Sequence, residues 1–83
     1  MNDSHINVTV DLTRYGAQEM YDLRIPRNVT VKQLLIDLFD VLNIHEIKDT
    51  PAIVKIKTKG FVLAEEDVLI DHPVTDGDLL AVL

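Results

Sequence analysis

Apolar side chains occupy every second position from residue 6 to 12, where Ile6, Val8, Val10 and Leu12 alternate with Asn7, Thr9 and Asp11. A period of two sends the two sets to opposite faces of an extended chain, so the segment predicts a strand with one buried and one wet face. Tyr21, Leu23 and Ile25 alternate with Asp22 and Arg24 in the same way. The polar residues 13–19 between the two runs, with Gly16 among them, make the pair read as a hairpin. Pro26 closes the second strand because it has no amide hydrogen to give a sheet ladder.

The period then changes. Thr30 at a helix N-cap with Gln33 three residues on forms a capping box, in which each side chain satisfies a backbone amide of the other residue. Val29 and Leu34 stand where a hydrophobic staple belongs, so two signals place the same helix start. Val31, Leu34, Leu35, Leu38 and Leu42 follow helical spacing and line one face, with Phe39 and Val41 at its margins. Lys32, Gln33, Asp37 and Asp40 take the other side, and Ile36 projects among them. A lone exposed apolar residue of this kind is ordinary.

After the connection over residues 43–51, Val54 and Ile56 alternate with Lys55 and Lys57. Thr58-Lys59-Gly60 turns the chain into Phe61-Val62-Leu63. Residues 67–74 predict a loop anchored by Leu69 and Val74. Asp76-Gly77-Asp78 then leads into a last strand, residues 79–83. The order strand, strand, helix, strand, short strand, strand predicts an α+β domain. Its expected form is a mixed four- to five-stranded sheet with one amphipathic helix packed across one face (ββαββ).

Composition narrows the function classes. Eighty-three residues make one domain, 1–83, with 1–5 expected to be flexible. There is no cysteine, so no disulfide or thiolate metal site supports the fold. At 27% charged and 47% apolar residues the chain is that of a folded domain and not a solvated tail. Fourteen acidic residues against eight basic give a net charge of −6, which repels a phosphate backbone and argues against nucleic acid. The polar start Met1-Asn2-Asp3-Ser4-His5 lacks the basic and apolar regions of a signal peptide. The apolar run of residues 34–42 is interrupted by Asp37 and Asp40 and falls short of the roughly 20 residues a membrane span needs. A cytoplasmic chain without direct membrane insertion is expected.

The element order, the Thr58-Lys59-Gly60 turn and the closing Thr75-Asp76-Gly77-Asp78 followed by Leu80 and Val82 resemble the β-grasp fold of ubiquitin. Within that superfamily the chain is similar to the YukD/EsaB family, small ubiquitin-like proteins of bacterial type VII secretion systems. Val8-Thr9-Val10-Asp11-Leu12, Tyr21-Asp22-Leu23, Ile56-Lys57-Thr58-Lys59-Gly60 and Leu69-Ile70-Asp71 carry this closer likeness, which spans essentially the whole chain. The resemblance implies an accessory or regulatory component acting by protein–protein interaction, its partner a cytosolic part of a membrane secretion machine. Conjugation needs a flexible Gly-Gly tail, whereas here the sequence stops at Leu83. Ubiquitin's exposed isoleucine is matched by Lys57, so ubiquitin receptors are not expected to bind. A general adaptor or carrier unrelated to secretion is the alternative.

With strands ordered as in other β-grasp domains, the outward residues form rows: Asp22 and Arg24; Asn7, Thr9 and Asp11; Leu79, Ala81 and Leu83; Lys55, Lys57 and Lys59. An apolar strip beside a basic one predicts a docking face, since one supplies burial and the other orientation and on-rate. Its candidate residues are Thr9, Lys55, Lys57, Lys59, Leu79, Ala81 and Leu83. The competing reading is that the lysines only solvate a strand while Leu83 frays. Self-association through Leu79, Ala81 and Leu83 is a further use of the strip, which would make the chain a homo-oligomer. His5, His45 and His72 lack ligand spacing, and the acidic groups at 65–67 and 76–78 lack the alternating oxygen ligands of a calcium loop. No catalytic residue, cofactor or metal is assigned.

Overall fold

The computed structural model describes residues 4–16, 18–44 and 52–83. The alternating runs become β1 (His5–Asp11) and β2 (Tyr21–Pro26), followed by α1 (Val31–Val41), β3 (Val54–Ile56), β4 (Phe61–Leu63) and β5 (Leu79–Val82). The five strands make one sheet in the order β2-β1-β5-β3-β4. β1 is antiparallel to β2 and parallel to β5, and β3 is antiparallel to both β5 and β4. This is the mixed ββαββ arrangement that the patterning predicts, with all five strands present. His45, most of the 43–51 connection and the first three residues lie outside the described residues, while His5 opens β1.

The core forms where the inward residues of the sheet meet the helix. Ile6, Val8, Val10, Ile25, Val54, Ile56, Leu63, Leu80 and Val82 pack in one cluster with Val31, Leu34, Leu35 and Leu38 of α1. Leu69 and Val74, the expected loop anchors, are fully buried in the same cluster. Ile36 is exposed as its helical position predicts. Val41 lies 77% exposed, further out than a margin position implies.

The helix ends show which local signals the tertiary structure keeps. Thr30 Oγ1 accepts the Gln33 amide at 3.1 Å, the expected cap. The reciprocal half of the box is not made, because Gln33 Nε2 donates to Asp37 Oδ1 at 3.0 Å, one turn along. The loop after β4 serves the next two amides of the helix start: those of Val31 and Lys32 donate to the carbonyls of Asp67 and Glu65 at 2.8 and 2.9 Å. Thr30 also bridges Val68. At the other end Asn43 adopts φ of +59°, and the Asn43 and Ile44 amides reach back to Asp40 and Phe39 in a Schellman closure.

The polar connection between β1 and β2 holds more structure than a plain hairpin loop. Thr13–Tyr15 is a short 3₁₀ turn that buries Tyr15. The Tyr15 ring centroid lies 4.9 Å from that of Phe39, and its hydroxyl donates to the Leu83 carbonyl at 3.4 Å. One aromatic side chain thereby links the hairpin, the helix and the end of the last strand.

Candidate docking surface

With α1 on one side of the sheet, the alternate residues of each strand point to the other side. The register sets them in rows. Thr9 pairs with both Asp22 and Leu79, and the Lys57 amide donates to the Leu79 carbonyl at 2.8 Å. One strand step away, Ala81 pairs with both Asp11 and Lys55, and Lys55 with Val62. The open face therefore runs from mixed charge at β2, Asp22 with Arg24, and Asp11 of β1 to basic at β3, across an apolar β5.

The seven candidate residues do not all stand alike on this face. Lys55, Lys57 and Leu83 are exposed, and Thr9 and Leu79 are half-buried. The side chains of Lys55 and Lys57 make no hydrogen bond or ion pair among the described residues. Thr9 donates its hydroxyl to Asp22 Oδ1 at 2.7 Å, so its side chain is fixed across the β1–β2 pair. Ala81, 4% exposed, sits beneath its longer neighbours and forms the floor of the strip.

Lys59 belongs to a different structure. β3 ends at Ile56 and residues 57–60 turn; the Lys57 amide still bonds Leu79 of β5, but the Lys59 amide turns back to the Ile56 carbonyl, so strand alternation no longer sets where Lys59 points. Its Nζ lies 2.9 Å from Asp78 Oδ2 and donates to Thr75 Oγ1 at 2.7 Å and the Pro73 carbonyl at 2.5 Å. Asp78 is buried and also accepts the Thr58 hydroxyl at 2.7 Å and the Thr75 amide at 2.9 Å. Burial pushes the Asp78 carboxyl up, but the Lys59 ammonium and the Thr75 and Thr58 bonds outweigh it and hold the carboxyl below its usual value. The Asp78 carbonyl in turn accepts the Thr9 amide at 3.0 Å. This knot ties the β3–β4 turn to the start of β5.

Asp11 faces the opposite end of the strip. The Thr13 amide donates to its Oδ1 at 2.9 Å. That bond, the Thr13 hydroxyl and the charge of Lys57 hold the Asp11 carboxyl below its usual value, against the opposing effect of burial. Asp11, Thr13, Arg14, Lys57, Ala81 and Leu83 line an open depression of about 190 Å³ at this end. A larger one, about 540 Å³, lies between Asn7, Thr9, Asp22, Arg24 and Gly77.

Two apolar members of the face escape the sequence reading. Ile53 is 44% exposed and Val62 58%, beside Leu83 at 43%. The Leu83 amide donates to the Ile53 carbonyl at 2.8 Å, which places Ile53 next to the strip, and Val62 faces Lys55 across β3 and β4. Ile53 precedes its strand, so periodicity alone does not assign it a face. Val62 lies in a three-residue strand, too short for alternation to show which side is wet.

Among the described residues no helix is long and apolar enough to cross a membrane. No group of three or more His, Cys, Asp or Glu side chains among them is placed to hold a metal ion. His5 bonds Ser4, and His72 stacks near Phe61 with Asp67 3.8 Å away, on separate parts of the surface.

Solved structures with the same architecture are ubiquitin-like. One, described as a molecular mimic of SUMO that promotes DNA repair, superposes with a TM-score of 0.76 over 100% of this chain and 95% of its own, at 19% identity. Another, the ubiquitin-like domain of the Mycobacterium tuberculosis type VII secretion system protein ECCD1, gives a TM-score of 0.64 over 98% of this chain and 99% of its own, at 20% identity. At that identity they establish the fold, the ubiquitin-like β-grasp. Sequence likeness goes further: the type VII secretion system accessory factor EsaB of Staphylococcus aureus is 40% identical over 81 residues, 98% of this chain and 99% of the relative. Residues 5–82 also match the model of the protein YukD of the WXG100 protein secretion system. A fold, a nearly full-length relative and a family model thus agree, and the chain belongs to the YukD family.

Proposed function

We propose that this protein is a non-catalytic accessory factor of a bacterial type VII secretion system, which acts in the cytoplasm by docking a protein partner on the open face of its sheet. The name of the Staphylococcus aureus relative supports the system. The ubiquitin-like domain of ECCD1 supports the use of this fold in such machinery. One observation carries the docking mode: on a chain of net charge −6, the exposed side chains of Lys55 and Lys57 make no hydrogen bond or ion pair among the described residues, beside Leu79, Leu83, Ile53 and Val62. Apolar side chains in the middle of a patch give burial, and unpaired cations at its rim select an acidic counterpart and speed encounter.

In this reading the chain binds without bonds being made. The backbone of Leu83 is engaged at its amide by Ile53 and at its carbonyl by Tyr15. Intact-mass spectrometry of the protein from its native cell is expected to show no adduct at Leu83, and an adduct there would favour the carrier alternative.

The docking test is crosslinking in the native cell with parent and Lys57→Glu, followed by identification of the captured proteins. The parent is expected to capture a secretion-system component, and the variant about tenfold less, with capture by the parent weakening as salt rises. Absence of any secretion component, or equal capture by both proteins at equal melting temperature, would overturn the reading.

A further inference from the structure

Among the described residues β2 pairs with β1 alone, so it is an edge of the sheet. Every second residue of such a strand turns its N–H and C=O outward with no strand to receive them. Charged side chains on an edge ordinarily discourage pairing. On β2 their order does something else. Tyr21, Asp22, Leu23, Arg24 and Ile25 read apolar, charged, apolar, charged, apolar from either end, and the two charges mirrored about Leu23 have opposite sign.

We propose that this edge pairs with β2 of a second copy of the chain, antiparallel about a two-fold axis through Leu23. Tyr21 then lies opposite Ile25, Leu23 opposite Leu23, and Asp22 opposite Arg24 twice over. The register is singled out by charge. Moving the axis to Asp22 sets two aspartates face to face, and moving it to Arg24 sets two arginines face to face. An axis between residues turns helix side against open side. Asp22 uses Oδ1 for the Thr9 hydroxyl and keeps its second oxygen. Arg24 has an interaction within its own chain, and its five donors can serve a carboxylate of the second copy besides.

The helix side of the edge fits the same occupant. Leu23, Ile25, Leu34, Leu38 and Val41 line a groove of about 180 Å³ between β2 and α1. Val41 is 77% exposed at its rim. The two-fold pairing brings both grooves to one side of the new strand pair, where each copy's apolar rim covers the other's. Two five-stranded sheets become one, and both open faces point the same way. A partner with two matching sites would meet the Lys55 and Lys57 strip twice, which raises avidity without a new contact.

Self-association is independent of partner docking, because Lys57 lies beyond β1 and β5 from this edge. Sedimentation equilibrium up to about 1 mM, a range that reaches weak complexes, tests it with Asp22→Arg, Arg24→Asp, the double exchange and an equimolar mixture of the two single variants. The parent is expected to dimerise, and each single variant to do so roughly tenfold more weakly, since both cross-strand pairs become like-charged. The double exchange and the mixture are expected to return to within about threefold of the parent, because opposite charges again face each other. If a single variant does not fold, amide shifts of the parent on dilution give the same reading, confined to residues 20–26 and 34–41. A parent that stays monomeric, single variants that associate like the parent, no recovery in the exchange or mixture, or dilution shifts centred on Leu79 and Leu83 would each overturn the proposal.

Discussion

Lys57 and Lys59 are two residues apart, and period-two reasoning puts them in one row. In the folded chain Lys59 spends its three donors on Asp78, Thr75 and Pro73 within a buried-carboxylate knot. The Lys57 side chain projects from the open face and makes no hydrogen bond or ion pair among the described residues. The same side chain is a structural strut at one position and an exposed surface charge at the other, and what separates them is that the Lys57 amide still bonds the Leu79 carbonyl of β5 whereas the Lys59 amide turns back to Ile56. In the docking reading proposed above, recognition falls to the part of the row still in register with β5. The part beyond it keeps the β5 lead-in at the height where Leu79 and Ala81 can line the strip.

The comparison is sharpened by substitutions that should fall in a definite order. Ile56→Ala, at the last residue of β3 just before the two lysines, on the core side and fully buried, sets the upper scale at about 2–5 kcal/mol in chemical denaturation. Lys59→Met is expected to cost about 1–3 kcal/mol, because the Asp78 carboxylate is left buried without its cation. If Lys59→Met melts with the parent, the distinction between the two lysines collapses.

That loss should depend on pH. Asp78 is held below its usual value in the folded chain. Its contribution is then fully present above the unfolded aspartate value of about 3.9, and is lost as pH falls through the folded value. The stability gap between parent and Lys59→Met is expected to be widest near neutrality and to narrow below about pH 4. A gap that stays constant down to acid pH would show that packing, and not charge, holds the knot.

Thr30→Ala, outside both regions, should cost about 1 kcal/mol through the lost cap to Gln33. Because the Val31 and Lys32 amides are held by the β4 loop, the helix start should survive the change, and helical circular dichroism should be retained. Lys57→Glu is expected to shift stability by less than about 0.5 kcal/mol while weakening partner capture. A large stability loss there would mean that Lys57 too is a strut, and the surface would lose its free cation.

Particular residues show how far the chain could be read in advance. Ile6, Val8 and Val10 declared the face of β1, and Val31, Leu34, Leu35 and Leu38 that of α1, because strand and helix periods differ and are local. Lys55, Lys57 and Leu79 were legible as outward residues once a strand order was supplied by resemblance. Alternation says nothing about where a strand stops, so it does not reveal that Lys59 sits in the turn and bonds Asp78. Tyr15 was hidden in a polar loop: its burial depends on Phe39 and Leu83, far away in sequence. Ile53 and Val62 became members of the face only through pairing with β5 and β3.

By itself, then, the sequence determined which side chains turn inward along each element and where the helix begins, because those choices follow from backbone period and capping within a few residues. Only the tertiary structure decided which outward residues become neighbours, which lysine is consumed by the Asp78 knot, and that β2, whose charges the sequence already sets in mirror order, lies at an edge among the described strands. Those outcomes depend on strand order and register, which are fixed by contacts between segments tens of residues apart.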